Sequence, residues 1–158
     1  MEIQFIRAET ADAEDLARVS ERAFHSDIHC GAPRLGGPPG YKSAKWQSKM
    51  MDLGDYFKII VEGGVVGGIL VFRKERLRFE VGRIFVDPDF QNRGIGTGAF
   101  DFLWSRYPFA KLWVLGTPAW NLRNCHFYKK VGFVELGDDG RGGIRFERRV
   151  PVAGRTTP

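Results

Sequence analysis

The sequence has few cysteines and no long apolar run, and each absence excludes a class of protein. Its only cysteines in 158 residues are Cys30 and Cys125, which are too far apart to form a metal-binding pair. We expect two reduced thiols in a cytoplasmic protein. No stretch approaches the roughly 20 apolar residues of a membrane span. The first ten residues are too polar and acidic for a signal peptide, so neither membrane insertion nor secretion is expected.

Blocks of like charge are also missing. The formal net charge is +5 and the pI is about 9.4, but the 24 basic residues are scattered among 19 acidic ones. Aromatic and basic residues do not interleave in one element, so nucleic acid is not expected as a partner. A mildly basic surface fits a polyanionic small molecule instead. The length predicts one domain, residues 1–150, followed by a flexible tail at 151–158.

The stretch from Phe79 to Tyr107 combines a strand, a glycine turn and a helix. Residues 79–86 are branched and aromatic, as is typical of a strand, and Pro88 prevents its continuation. Three alternating glycines follow before the helical pattern: Gly94, Gly96 and Gly98. Glycines let the backbone approach a ligand, and the free N–H groups at a helix start attract anions. The stretch therefore predicts an anion-binding turn.

Two common phosphate-binding motifs do not fit this turn. The dinucleotide motif G-x-G-x-x-G/A follows its strand at once and has an acidic residue about 20 positions later. Here seven residues separate Val86 from Gly94, and no acidic residue lies between Asp101 and Glu135. A nucleotide P-loop requires a lysine and a hydroxyl residue after its last glycine, and both are missing.

The other elements are predicted from periodicity and turn residues. We expect further strands at residues 2–7, 56–62, 65–73, 111–115, 133–136 and 143–150, and helices at 10–24, 42–53 and 121–131. Thr10 is the expected cap of the first helix, and Asn121 or Thr117 that of the last. Residues 25–41 are rich in glycine and proline and predict a mobile, functional loop. Its polar cluster matches no zinc spacing, so no metal is expected, and surface placement is favoured over substrate contact for its members: His25, Asp27, His29 and Cys30.

Two motifs resemble those of the GNAT family of N-acetyltransferases. Gln91-x-x-Gly94-x-Gly96, after a strand ending in Val-Asp-Pro, resembles the family's acyl-CoA-binding motif. Asn121-x-x-Asn124-x-x-Phe127-Tyr128-x-Lys130-x-Gly132-Phe133 resembles its second motif, although the family often has alanine where Asn124 stands. The order of predicted elements also matches along nearly the whole chain. The resemblance implies an α/β (α+β) fold with a single mixed, mostly antiparallel central sheet flanked by helices.

The resemblance also implies a site. Acetyl-CoA would be the cosubstrate, lying where two parallel strands separate, and the acceptor would be a primary amine of a small molecule or a peptide. The strand end would pair with the pantetheine amides, and the glycine turn would hold the pyrophosphate. The implied cofactor-binding residues are Phe85, Val86, Gln91, Asn92, Arg93, Gly94, Ile95, Gly96, Thr97, Gly98, Asn121 and Asn124. A plain helix cap is the alternative role for Asn121.

Tyr128 is the candidate general acid and Glu80 the candidate base. A neutral phenol with a pKa of about 10 can protonate a departing thiolate. An alkyl amine with a pKa near 10.4 needs a base, since only about one molecule in a thousand is neutral near pH 7. Regular alternation places Glu80 on the face of Val86, where the family often has an acid that acts through water. Packing for Tyr128 and solvation for Glu80 are the alternatives.

A second function stays open at this point. The same fold and motifs would serve a non-catalytic acyl-CoA sensor or interaction module. The presence of both Glu80 and Tyr128 favours an enzyme. The acceptor, the acyl chain and the oligomeric state, with a homodimer as one option, do not follow from the sequence.

Overall fold

The computed structural model describes residues 1–151, so the tail predicted at 151–158 lies outside the described residues except for Pro151. The strands are β1 (Ile3–Arg7), β2 (Asp55–Val61), β3 (Gly64–Glu75), β4 (Arg78–Val86), β5 (Leu112–Pro118), β6 (Val134–Asp138) and β7 (Gly143–Arg149). The helices are α1 (Ala13–His25), α2 (Ala44–Leu53), α3 (Ile95–Arg106) and α4 (Leu122–Lys130). The predicted order of strands and helices is confirmed.

The strands form one sheet in the order β1-β2-β3-β4-β5-β7-β6. Every neighbouring pair is antiparallel except β4 and β5, which run parallel. These two strands pair only from Arg78 opposite Leu112 to Glu80 opposite Val114. Beyond that point they separate, and the carboxyl ends of both strands border an open gap. The mixed, mostly antiparallel sheet is confirmed.

Helices cover both faces of the sheet, because the strands are apolar on both sides. On one face Phe79, Val81 and Trp113 pack with buried residues of α3 and α4. On the other face Leu70 and Phe85 pack with buried residues of α1 and α2. Burying each such side chain contributes about 1.5–3 kcal/mol. The two layers hold β4 and β5 in place around the gap between them.

A β-bulge at Gly82 changes which face the residues of β4 occupy. Leu70 pairs with Arg83 and Val71 with Val81, so Gly82 is the extra residue. A Cβ at Gly82 would lie 2.5 Å from the Phe72 ring, which explains the glycine. Before the bulge Glu80 pairs with Phe72, on the face covered by α1 and α2, whereas Val86 lies on the opposite face. The predicted placement of Glu80 on the face of Val86 is therefore wrong.

Smaller differences occur at the ends of elements. Thr10 does not cap α1, because a 3-10 turn at Thr10–Asp12 precedes that helix. The Ser43 hydroxyl accepts a hydrogen bond from the Trp46 amide at 3.1 Å, so α2 starts after residue 43. Part of the predicted loop, Ser26–Cys30, is a further 3-10 turn. None of the described helices combines the length and apolar character needed to cross a bilayer.

Candidate active site

Two cavities meet in the gap between β4 and β5. The first, of about 510 Å³, is lined by the end of β4, the glycine turn and α4, and we call it the turn cavity. The second, of about 440 Å³, is lined by residues 32–34 and 36–38, the bulge of β4 and the end of β5, and we call it the loop cavity. The residues that line both are Phe24, Asp27, Ile84, Asn124 and Tyr128. Their side chains mark the junction of the two cavities.

The glycine turn presents free backbone amides to the turn cavity. Asn92 and Gly94 have positive φ angles of 62° and 80°, which turn the chain into α3. Gly98 N donates the first helical hydrogen bond, to Gly94 O at 3.0 Å. The amides of Ile95–Thr97 precede it and have no partner within the helix. The first turn of α3 contains no acidic residue, so its positive dipole end is left for an anion from elsewhere.

Most of the predicted cofactor residues line the turn cavity: Phe85, Val86, Gln91, Asn92, Gly94, Ile95, Gly96, Thr97 and Asn124. Arg93, Gly98 and Asn121 do not. The Arg93 guanidinium lies 5.2 Å from the centre of the Phe90 ring, and Gly98 faces β1. Gly96 has a second reason to be glycine, since its Cβ would lie 3.0 Å from the Phe127 ring.

The free edge of β4 is formed by residues 84 and 86. The amide of Asp87 donates to Val66 O at 2.7 Å. Because hydrogen-bonded and non-bonded positions alternate along an antiparallel pair, the backbone groups of Phe85 point towards β3 and those of Ile84 and Val86 towards the gap. The side chain of Gln91 already donates to Val86 O at 3.0 Å. An extended ligand would therefore pair with Ile84 and Val86, and the expected pairing with Phe85 is wrong because its backbone groups face β3, although Phe85 lines the turn cavity.

The start of α4 connects that helix to β5. Asn121 Oδ1 accepts a hydrogen bond from the Asn124 amide at 3.0 Å, which confirms Asn121 as the cap. Thr117 is not the cap, because it belongs to β5. Its hydroxyl accepts a hydrogen bond from Asn124 Nδ2 at 3.2 Å. The buried Nδ2 of Asn121 has no hydrogen-bond partner within residues 1–151. Asn124 thus fixes α4 against β5 at the junction of the cavities.

Tyr128 lies at the junction with its ring buried in the core and only 7% of the residue exposed. The ring packs edge-on against Phe100 and Phe146, which fixes its direction. Burial, together with the charge of Asp27, raises the pKa of the Tyr128 phenol above its ordinary value. The hydroxyl is therefore neutral at physiological pH and retains its proton. This is the protonation state that a general acid requires.

Asp27 places a carboxylate at the same junction. Only 14% of its side chain is exposed, and Arg123 Nη2 lies 3.4 Å from its Oδ1. Burial raises the pKa of Asp27, and the charge of Arg123 opposes that rise. Arg123 also donates to Gln91 Oε1 at 3.0 Å and so connects Asp27 to the glycine turn. The sequence favoured a surface position for Asp27 over substrate contact, whereas the 3-10 turn after α1 places it in the wall of both cavities.

The other polar candidates lie outside the cavities. Glu80 lines neither, although it occupies the last paired position before the strands separate. His25 Nε2 lies 2.8 Å from the Tyr41 hydroxyl, and His29 is exposed. Within the described chain, no three His, Cys, Asp or Glu residues come together as metal ligands do. The role of Glu80 as a base stays a prediction.

Comparisons with known proteins agree with this geometry. The family model of the acetyltransferase (GNAT) domain matches residues 52–135, more than half of the chain. An uncharacterized Bacillus subtilis protein, YrkN, is 32% identical over 79 residues, which are 49% of this chain and 43% of that protein. This chain therefore spans less than half of that relative's length.

Two solved structures share the fold along nearly the full chain. An acetyltransferase from Thermus thermophilus has a TM-score of 0.80 at 15% identity, with 95% of this chain and 98% of that one covered. The PaiA N-acetyltransferase of Thermoplasma acidophilum, solved in complex with coenzyme A, has a TM-score of 0.78 at 16% identity, with coverage of 95% and 100%. GNAT acetyltransferases use acetyl-CoA as their cosubstrate. The chain belongs to the GNAT family of acetyltransferases.

Proposed function

We propose that this protein is an N-acetyltransferase that transfers an acetyl group from acetyl-CoA to a primary amine of a small molecule or a peptide. The observation that carries the proposal is the position of Tyr128 where the two cavities meet. A cofactor in one cavity and an acceptor in the other would face the same proton donor. Both cysteines are free, which fits a cytoplasmic location.

The residues of the turn cavity fit an acyl-CoA. The free amides of Ile95–Thr97 suit the pyrophosphate, and Lys130 adds positive charge to the same wall. The edge groups of Ile84 and Val86 suit the pantetheine amides. When bound, acetyl-CoA supplies an activated acyl carbon: a bond from the amine nitrogen forms there as the bond to sulfur breaks.

Tyr128 is the proposed general acid. Its neutral hydroxyl has a proton to give to the thiolate sulfur that leaves, and its ring is held by packing on both sides. A donor that is already oriented loses little entropy in the reaction. Reprotonation of the phenolate from solvent then restores the starting state.

Two carboxylates are proposed as routes for the proton that the amine loses. Glu80 is the residue that the family resemblance implies, acting through water from the base of the gap. Asp27 lies in the cavity wall itself, and its raised pKa makes it a better proton acceptor than an ordinary aspartate. We favour Asp27 as the nearer group, because Glu80 lines neither cavity.

An amine panel tests the proposal. Release of free CoA from acetyl-CoA is measured with each amine, and Tyr128→Phe serves as the matched control because it retains the ring. Transfer to at least one amine that falls with Tyr128→Phe is the expected result. If acetyl-CoA raises the melting temperature but no amine in the panel is acetylated, the result contradicts the proposal. It would favour the alternative, an acyl-CoA sensor or interaction module.

A further inference from the structure

The loop cavity contains two arginines that are not neutralised by a described carboxylate. Arg34 and Arg83 both line it. Neither forms a salt bridge within residues 1–151. Asp27, the acidic residue of this wall, is itself paired with Arg123. The cavity is therefore positively charged before a ligand enters.

Arg83 is held in place in a partly dry environment. Its Nη2 donates to Pro39 O at 2.7 Å, and the guanidinium lies 4.1 Å from the centre of the Trp46 ring. Its Nη1 is buried without a hydrogen-bond partner among the described residues. Burial lowers the pKa of Arg83 to about 10, so the side chain stays charged at neutral pH. A desolvated cation without a counterion is unfavourable, and an anion close to it offsets part of that cost.

The β-bulge at Gly82 gives Arg83 this position, because the extra residue turns Arg83 to the face of α1 and α2. Arg34 and Arg83 line the loop cavity but not the turn cavity, whereas Asp27 and Tyr128 line both. The two arginines are thus on the side away from the turn cavity. A molecule that spans the loop cavity meets positive charge at one end, and a carboxylate and a phenol at the other.

We infer that the acceptor is a small amine that also carries an oxyanion, either a carboxylate or a phosphonate. The inference rests on the proposed N-acetyltransferase function and names the substrate class of that site. The oxyanion binds near Arg83, with the exposed Arg34 beside it, and the amine lies towards Asp27 and Tyr128. A cavity of about 440 Å³ is in the range of small-molecule sites.

Matched acceptors test the inference in the wild-type protein. The three sets are L-α-amino acids, their α-carboxamides and the corresponding α-aminophosphonic acids, with kcat/KM measured by CoA release at saturating acetyl-CoA. We expect at least a roughly tenfold preference for an anionic acceptor over its carboxamide. Hydrogen bonds between a guanidinium and an anion are stronger than those to a neutral group. The ratio of kcat/KM for the amino acids to that for the aminophosphonic acids identifies which oxyanion the site selects.

Variants of Arg83 separate recognition from structure. Arg83→Gln should reduce the preference to within about threefold, mainly through KM, while Arg83→Lys retains part of it. A role in loop packing alone would lower the rates for anionic and neutral acceptors equally. Arg34→Gln, at an exposed position, gives a smaller loss of preference and does not depend on Arg83→Gln folding. Arg141→Gln removes the same charge from the exposed β6–β7 turn and should keep the full preference.

Four results would contradict the inference or the proposed function. Equal use of carboxamides by the wild-type protein, or an undiminished preference in folded Arg83→Gln, overturns the inference. Transfer only to amines that carry no oxyanion overturns the inference but leaves the proposed N-acetyltransferase function in place. Failure to transfer to any amine in the wider panel contradicts the proposed function itself.

Discussion

The turn cavity and the loop cavity meet at Tyr128 but are built in different ways. The turn cavity presents backbone groups: free amides at the start of α3 and the edge of β4. The loop cavity presents side chains, among them Asp27, Arg34 and Arg83, carried by a 3-10 turn, an irregular segment and a bulged strand. A backbone site requires glycines at fixed positions and therefore leaves a sequence motif. A site made of side chains on irregular segments leaves none.

This difference matches what each cavity would bind. A backbone site holds a ligand that stays the same throughout a family, since its shape does not depend on side chains. Side chains on a variable loop can change without loss of the fold, so they suit an acceptor that differs between family members. The following experiments test this division of roles.

The largest effect is expected at the junction of the two cavities. Tyr128→Phe removes the proposed proton donor and keeps the packed ring, so the single-turnover rate should fall roughly 10²–10⁴-fold. Affinity for acetyl-CoA should change far less, because most of the binding groups are backbone amides elsewhere. A Tyr128→Phe protein with the wild-type single-turnover rate would show that Tyr128 only packs.

The next effect is expected in the turn cavity. Thr97→Glu puts a carboxylate beside the free amides, so affinity for CoA, measured by calorimetry, should fall about 10–100-fold through charge repulsion. The same carboxylate in the first turn of α3 should leave the fold intact or stabilise it slightly. Thr97→Gln is the control of equal size and should bind CoA almost as the wild type does. Equal affinity of the two variants would contradict the assignment of the pyrophosphate site.

A third effect concerns the acceptor side and depends on pH. If Asp27 takes the proton of the amine, Asp27→Asn should lower kcat/KM about 10–100-fold and remove one acid limb of its pH profile. Arg123 opposes the rise in the pKa of Asp27, so Arg123→Gln should move this limb to higher pH. Asp52→Asn, on the exposed side of α2, is the matched control. If Asp27→Asn has the same pH profile of kcat/KM as the wild type, Asp27 is not the base and Glu80 is the remaining candidate.

The smallest effect is expected at the ion pair that joins α1 to the end of β4. Arg22 on α1 donates to both carboxylate oxygens of Asp87 at 3.0 and 3.2 Å, just after β4. Burial opposes ionisation of Asp87, but the hydrogen bonds from Arg22 and from the Asp89 amide outweigh it, so its pKa is lowered. The stabilisation is therefore full above the unfolded-state pKa of about 3.9 and is lost as the pH falls through the folded-state value.

Thermal unfolding measures this contribution. Asp87→Asn should cost about 1 kcal/mol at pH 7, or about 2–4 °C in Tm, since Arg22 is half exposed. The cost should disappear at a pH low enough to protonate the folded-state carboxylate. Asp89→Asn, at a side chain that is 77% exposed, should have almost no effect. A cost for Asp87→Asn that is the same at acid pH would rule out the ion pair as its cause.

How much the sequence reveals follows the same division between the cavities. The strands, the helices and the glycine turn were predictable, because periodicity and turn residues act locally. The face of Glu80 was not, because the extra residue at Gly82 becomes visible only when β3 and β4 are paired. The cavity positions of Asp27 and Arg83 were not predicted either, because Asp27 depends on the 3-10 turn after α1 and Arg83 on the same bulge. The mobility of residues 25–41 stays a prediction that hydrogen exchange can test.

A crystal structure of the complex with CoA tests the central claim most directly, namely that the cofactor lies in the turn cavity and reaches Tyr128. We predict the pyrophosphate on the amides of Ile95–Thr97 and the CoA sulfur about 3–3.5 Å from Tyr128 Oη, with the loop cavity left free for an acceptor. A pyrophosphate bound elsewhere, or a sulfur atom out of reach of Tyr128, would contradict the account.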